Sequence, residues 1–322
     1  MDITIASVAE MLNQTAAMFA PELQTKARLG LELEGMITQR QTLGEYYVVE
    51  NAEATELLQP YQGTFTPKGS VTHNETKIRV RPVKIDLEIT EVQLEKWYNS
   101  WMISRMEAGK SPLEWTYPRY ILERELLPKF NDDLNNAGWN GIYAAPTPGT
   151  AGDAVDSVNG FKKVIADLVT DSAVNVYSTS TITSSNIREK VEEFLDSIPD
   201  YITKKGGRIL MAPKHRRWYF RDYRSEFTQI NTTFPGNDGG SKEIMVDDYM
   251  VTLESVATMT GSDRWIFLPN GRDNMVWVSR LGYPVYPNFE FDTAPRTLQL
   301  YGTIYRGFGF EYPQEVWVND QV

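Results

Sequence analysis

The 322-residue chain has no cysteine and only two histidines, His73 and His215. Disulfides and thiolate-based zinc sites are therefore excluded. No apolar run approaches the ~18 residues of a membrane span, and Met1-Asp2-Ile3-Thr4 lacks the basic-then-apolar pattern of a signal peptide. The expectation is a cytosolic product with no membrane partner. Nucleophile elbows, P-loops and dinucleotide fingerprints are also missing, and Gly236-Asn-Asp-Gly-Gly-Ser-Lys242 fails the P-loop spacing. The histidines lie 142 positions apart with no second imidazole near either, so both are expected at the surface.

What is present is a folded composition: 41% hydrophobic, 12% aromatic and 23% charged residues. A chain of this length buries most of its apolar surface without staples and forms about two domains, or one elaborated domain. The formal net charge of -11 argues against a protein that grips DNA, because such affinity comes from many cationic contacts to phosphate. That charge is unevenly placed. Residues 68 to 84 hold five basic groups and one acidic, and residues 204 to 224 hold eight and one; the other 284 residues carry a net -22. Such a chain is electrostatically self-complementary, which favours association between copies.

Ser7-Val8-Ala9-Glu10 has the form of a capping box, and Val8, Leu12, Ala16 and Phe19 follow at helical spacing, predicting a helix that ends near Pro21. Residues 24 to 59 read as an arm lying on something else. Ile78 and Val80, then Val83, Ile85, Leu87 and Ile89, alternate with polar residues on either side of Pro82, and turn chemistry fills Gly63 to Gly69. A long, partly basic hairpin is expected over 60–84, carrying Lys68, Lys77, Arg79 and Arg81. Thr90 caps a helix with Leu94, Trp97, Tyr98 and Trp101 on one face. Thr116 and Pro118 open another, which Pro128 should kink.

From 160 to 227 helix and strand alternate, and from Ile244 onward the chain is mainly strand-like, so the class is α+β. Carboxylate pairs at Asp132-Asp133, Glu192-Glu193 and Asp247-Asp248 read as solvated faces. Asp133 to Ala144 begins like a calcium loop but lacks ligands at its fifth and twelfth positions, so a helix ending at Gly138 is the expectation. The most distinctive stretch is Pro213-Lys-His-Arg-Arg-Trp-Tyr-Phe-Arg-Asp-Tyr-Arg224. On a helix, Arg217, Arg221 and Arg224 share one face, and Phe220, Tyr223 and Phe227 share a neighbouring one, with Trp218 beside them. In an acidic chain, docking onto another copy is the better use of that helix than binding nucleic acid.

This element order resembles the Hong Kong phage type capsid fold, that of the major capsid proteins of tailed double-stranded DNA phages. Gly207-Arg-Ile-Leu-Met-Ala-Pro213 before an aromatic helix looks like the family's axial-domain strand and Pro-led helix. Ser262 to Pro269 with Asn270 to Asn274 is similar to its late strand and loop. Leu300-Tyr-Gly-Thr-Ile-Tyr-Arg-Gly-Phe-Gly-Phe310 resembles its closing peripheral strand. The resemblance implies an N-terminal arm over 1–59, an extended hairpin loop over 60–84, a peripheral domain with a long spine helix over 85–152, an axial domain over 153–288, and peripheral return strands over 289–322. It implies a structural subunit without catalytic residues or cofactors, building pentamers and hexamers of an icosahedral head in the host cytoplasm. Such a head encloses double-stranded DNA without sequence-specific binding. A separate scaffolding protein, a portal and decoration proteins are the implied partners, and an isopeptide bond through Lys68 is conceivable. An encapsulin-like compartment shell is the first alternative; an acidic hydrolase or carbohydrate-binding β protein, suggested by eight Trp and the paired carboxylates, is the second.

Overall fold

The structure, a computed structural model, describes residues 5–29, 31–32, 36–56, 58–109, 111, 115–226, 244–246, 250–271, 273–284, 287, 289–294 and 296–321. The chain opens with helices α1 (Ile5–Met18) and α2 (Ala20–Leu29), then strands β1 (Thr38–Thr42), β2 (Tyr46–Ala54), β3 (Val71–Arg79) and β4 (Arg81–Thr90). Next come α3 (Glu91–Glu107), a short α4 (Tyr117–Tyr120) and α5 (Leu127–Asn140), the last two joined by a π-helical turn over Ile121–Leu126. Helix α6 (Phe161–Thr170), strand β5 (Asn175–Val176), helices α7 (Ile187–Asp196) and α8 (Asp200–Thr203), strand β6 (Gly207–Met211) and helix α9 (Pro213–Glu226) form the alternating segment. Seven strands close the chain: β7 (Ile244–Met245), β8 (Val251–Ser255), β9 (Trp265–Pro269), β10 (Met275–Arg280), β11 (Glu290–Ala294), β12 (Thr297–Phe310) and β13 (Trp317–Asn319).

These elements form two compact units. The first combines residues 1–43, 80–163 and 277–308. Its sheet runs β1-β10-β12-β11, with β4 also paired to β12. The β4–β12 ladder is antiparallel and joins Ile89 to Leu298 and Leu87 to Leu300. Leu12 of α1, Leu94 and Trp101 of α3, and Ile121 and Leu122 of the π turn fill the core below it with Leu298 and Leu300.

Local chemistry explains the helices of this unit. Gln93 Oε1 accepts a hydrogen bond from the Thr90 backbone N–H at 2.9 Å, closing the start of α3 as a capping box does. The bend expected at Pro128 takes the form of the π turn. The Leu127 N–H reaches back five residues to Leu122 O, so the ladder widens just before a residue that has no N–H to donate.

The first helix ends at Met18, near Pro21 as expected, and Pro21 itself sits in the first turn of α2, where a missing N–H costs nothing. Helix α5 likewise continues through Gly138 and ends at Asn140, before Gly141. A Cβ on Gly141 would lie 2.4 Å from both Ala137 O and Val158 O, so only glycine fits that close crossing.

The second unit combines residues 44–79, 164–276 and 309–322. Its six-stranded sheet has the order β5-β13-β9-β6-β8-β7. Strands β6 and β8 are parallel, as a strand–helix–strand crossover through α9 requires, and β9 runs antiparallel to β6. Helices α7 and α9 share one core with a single face of this sheet, through Val191, Phe194, Tyr219, Ile209, Leu253 and Phe267. The C-terminal return is therefore divided: β12 pairs with β4, whereas β13 pairs with β9 and β5 in the six-stranded sheet.

The hairpin also differs from expectation. Its two strands are β2 and β3, in register from Tyr46–Arg79 to Ala54–Val71, so the turn segment spans 55–70 and the ladder begins inside the stretch read as an arm. After Arg79 the chain leaves this ladder, and β4 pairs with β12 instead.

Candidate assembly surfaces

The hairpin is a two-stranded ladder, which alone is marginal in water. One face is anchored within its unit. Tyr47 Oη donates to Glu311 Oε1 at 2.8 Å, and Ile78, buried, lies against Gly309, where a Cβ would come within 2.8 Å of it. The other face presents Tyr46, Val48, Lys77 and Arg79 to solvent.

At the tip, Leu58, Tyr61 and Phe65 are 87%, 98% and 92% exposed. Three large apolar side chains gathered on one loop and left in water mark a contact surface rather than ordinary scatter. Their only signal in the sequence is that apolar residues interrupt a Gly- and Pro-punctuated polar segment, and reading it as turn chemistry alone missed them.

The hairpin's basic residues do different things. Lys68 Nζ donates to Leu58 O at 2.7 Å and lies 2.9 Å from Glu56, so it holds the tip together. Lys77 pairs with Glu75 on its own strand at 2.7 Å. The Arg79 guanidinium sits 5.7 Å from the Tyr46 ring centroid, across the ladder. Arg81 belongs to β4, in the first unit, and stacks 3.4 Å above the ring of Tyr143 in the loop that follows α5 of that unit.

Helix α9 carries the second group. Its inward face is built on His215 and Tyr219. Tyr219 is buried and stacks with the half-buried Tyr223 at 6.5 Å, while Trp218 and Phe220 pack at the flanks of the core. Phe227 lies outside the described residues, as does the side chain of Arg224. Arg217 and Arg221, one turn apart, point into solvent. Of the three arginines expected on one face, these two are exposed.

His215 corrects the surface expectation: its side chain is completely buried, while His73 is exposed on the hairpin. Trp265 Nε1 donates to His215 Nδ1 at 2.9 Å, and the two rings meet edge to face. Because Nδ1 accepts, the proton of the neutral ring belongs on Nε2, which lies 3.2 Å from Asp263 Oδ1 but out of line for a full hydrogen bond. Burial pushes the imidazole pKa down to about 4, against a weaker opposing pull from Asp263. Lys214 binds the same Asp263 at 3.0 Å and lies over Trp218. These contacts fasten the first turn of α9 to β9.

Three of the paired carboxylates are engaged in ordinary ion pairs. Glu192 meets Arg188 at 2.9 Å. Glu193 is held below the usual carboxylate range by hydrogen bonds from Lys190 and Tyr177. Asp133 pairs with Lys129; Asp247, Asp248 and residues 236–242 lie outside the described residues. Among the described residues, no three His, Asp or Glu side chains gather as metal ligands, and no helix is long and apolar enough to cross a membrane.

Solved structures decide the fold. The chain is similar to the satellite phage P4 procapsid, with TM-score 0.51 and 10% identity over 94% of this chain and 100% of that one. The Cyanophage A-1(L) capsid matches at TM-score 0.51 and 11% identity, over 88% and 90% of the two chains. The chain has the Hong Kong phage type capsid fold. The SrpI encapsulin of Synechococcus elongatus PCC 7942 shares it, with TM-score 0.51 and 10% identity over 89% and 85%. No protein-family model matches the sequence, and no curated protein does. A capsid fold kept at 10% identity is one specified by burial pattern and element order rather than by particular residues.

Proposed function

We propose that this chain is the major capsid protein of a tailed double-stranded DNA phage, a structural subunit without catalytic turnover. Copies assemble into pentamers and hexamers of an icosahedral head that encloses DNA without reading its sequence. The observation that carries this reading beyond the fold is the β2–β3 hairpin, whose tip leaves Leu58, Tyr61 and Phe65 in solvent. A two-stranded projection with an apolar tip is stable and soluble when a neighbouring copy covers it. In this reading residues 153–288 are the axial domain, with α9 toward the five- and sixfold centres, and α3 to α5 form the peripheral spine. A separate scaffolding protein, a portal and decoration proteins complete the head, which assembles in the host cytoplasm. Lys68 is occupied by Glu56 and Leu58 O, which favours noncovalent overlap over an isopeptide link at that residue.

An encapsulin-like compartment is the second reading, favoured by the equal TM-score of the encapsulin. The contents of purified particles separate the two: nucleic acid supports the phage head, a protein cargo the compartment. The hairpin's role is tested by Tyr61→Ser with Phe65→Ser. The double variant should keep the wild-type melting temperature, since both side chains are exposed, and should fail to sediment as large particles. Wild-type particle yield would remove the hairpin from the account.

A further inference from the structure

The outer faces of α7 and α9 carry opposite charge and lie side by side on one sheet face. The register Ile209–Leu253 and Ile209–Phe267 puts these three residues on one face of the six-stranded sheet, and both helices pack on it. Asp222 of α9 accepts a hydrogen bond from the Arg188 backbone N–H of α7 at 3.2 Å, so the helices are neighbours. With Val191 and Phe194 turned inward, Glu189 and Asp196 project away from the sheet. On α9 the side opposite His215 and Tyr219 presents Arg217 and Arg221. Helix α7 has four acidic and two basic side chains; α9 has five basic and two acidic.

Most ionic groups of this layer are already satisfied, Lys214 by Asp263 and Arg188 by Glu192. The side chains of Arg217 and Arg221 have no hydrogen bond or ion pair among the described residues, and that of Glu189 has none either, whereas Asp196 already has a partner within the chain and remains exposed. Arg217 and Arg221 stand ~6 Å apart along α9, and Glu189 and Asp196, two turns apart, stand ~10 Å apart along α7, a difference that two long, splayed arginine side chains span. Planar guanidinium groups suit carboxylates at such a contact.

We propose that the outer face of α9 docks on the outer face of α7 of a second copy, with Arg217 and Arg221 against Glu189 and Asp196. The proposal names the partner of the arginine face and rests on the shell reading, which brings copies into contact. Each copy carries both halves, so every contact consumes one face of each kind.

The test is sedimentation velocity of the full chain over a concentration series, at about 50 and 500 mM salt, which spans weak and strong screening. Four proteins are compared: wild type, Arg217→Glu with Arg221→Glu, Glu189→Arg with Asp196→Arg, and the quadruple variant. Circular dichroism and melting verify folding, and Arg217→Gln with Arg221→Gln serves if the reversal disturbs it. Each reversed protein should self-associate about tenfold more weakly than wild type, as expected for loss of close charge pairs. A one-to-one mixture of the two, or the quadruple variant, should recover association, and high salt should weaken wild type. Wild-type association by either reversed protein, no recovery in the mixture, or a wild type that never associates would overturn the contact. Loss of duplex-DNA binding in the arginine variant with unchanged self-association would overturn it in favour of nucleic acid. Closed shells from every variant would remove this contact while leaving the shell reading standing; swap-restored association without any shell would do the reverse.

Discussion

Trp265 and His215 form a buried donor–acceptor pair: the indole N–H points at imidazole Nδ1 across 2.9 Å, with both side chains fully removed from solvent. A proton on Nδ1 would set two donors against each other, so the contact exists only with a neutral ring. This pair links strand β9 to the first turn of the helix that presents Arg217 and Arg221.

Acid should therefore loosen that unit. With the folded pKa lowered to about 4 from the ordinary 6.5, the unfolded chain binds the extra proton first as pH falls. The stabilisation from neutral His215 is complete above pH 6.5, declines between 6.5 and about 4, and amounts to roughly 3 kcal/mol at most. Urea unfolding of wild type and His215→Asn across this range checks it. Asn keeps an acceptor near the Nδ1 position and does not titrate, so its stability should fall less steeply; parallel curves would contradict the assignment.

Glu123 is nearly buried at the π turn and receives Lys26 at 2.6 Å and Arg119 at 2.7 Å, while Arg119 also meets Glu22. One carboxylate thus ties α2 to the turn before Pro128. Glu123→Ala should cost about 2 kcal/mol in urea unfolding, less than for a fully buried pair because Lys26 and Arg119 keep part of their hydration. A loss below roughly 0.5 kcal/mol, the range of a bland surface change, would show that the network contributes little.

Gly141 makes a steric prediction. Gly160 N–H donates to Gly141 O at 2.9 Å, and no room remains for a methyl group between Ala137 O and Val158 O. Gly141→Ala should destabilise by about 2 to 3 kcal/mol, because backbone rather than a flexible side chain must move. Thermal melting reads this directly, and an unchanged midpoint would mean that the crossing opens freely.

Much of this architecture is written in local pattern. The capped start at Thr90, the Pro-led helices at Pro118 and Pro213, and strands β6, β9 and β12 follow from periodicity and punctuation, which act over a few residues. What escaped depends on distant partners. Tyr46–Ala54 becomes a strand because Val71–Arg79 pairs with it across a sixteen-residue loop. His215 is buried because Trp265, fifty positions away, supplies its donor. Pro21 has opposite meanings at the end of one helix and the start of the next, and only the packing of Leu23 in the core chooses. The basic clusters were legible as charge. Their division into tip clasp, stacked arginines and an open arginine pair was not, since Glu56, Tyr46 and Tyr143 reach them only in the folded chain.

The central claim is that copies of this chain build a shell. Electron microscopy of the purified protein, expressed alone and together with its candidate scaffolding protein, tests it most directly. The account predicts closed icosahedral particles or five- and sixfold rings, with the hairpin of each subunit lying on its neighbour. A monodisperse monomer under both conditions, with neither rings nor shells, would contradict it.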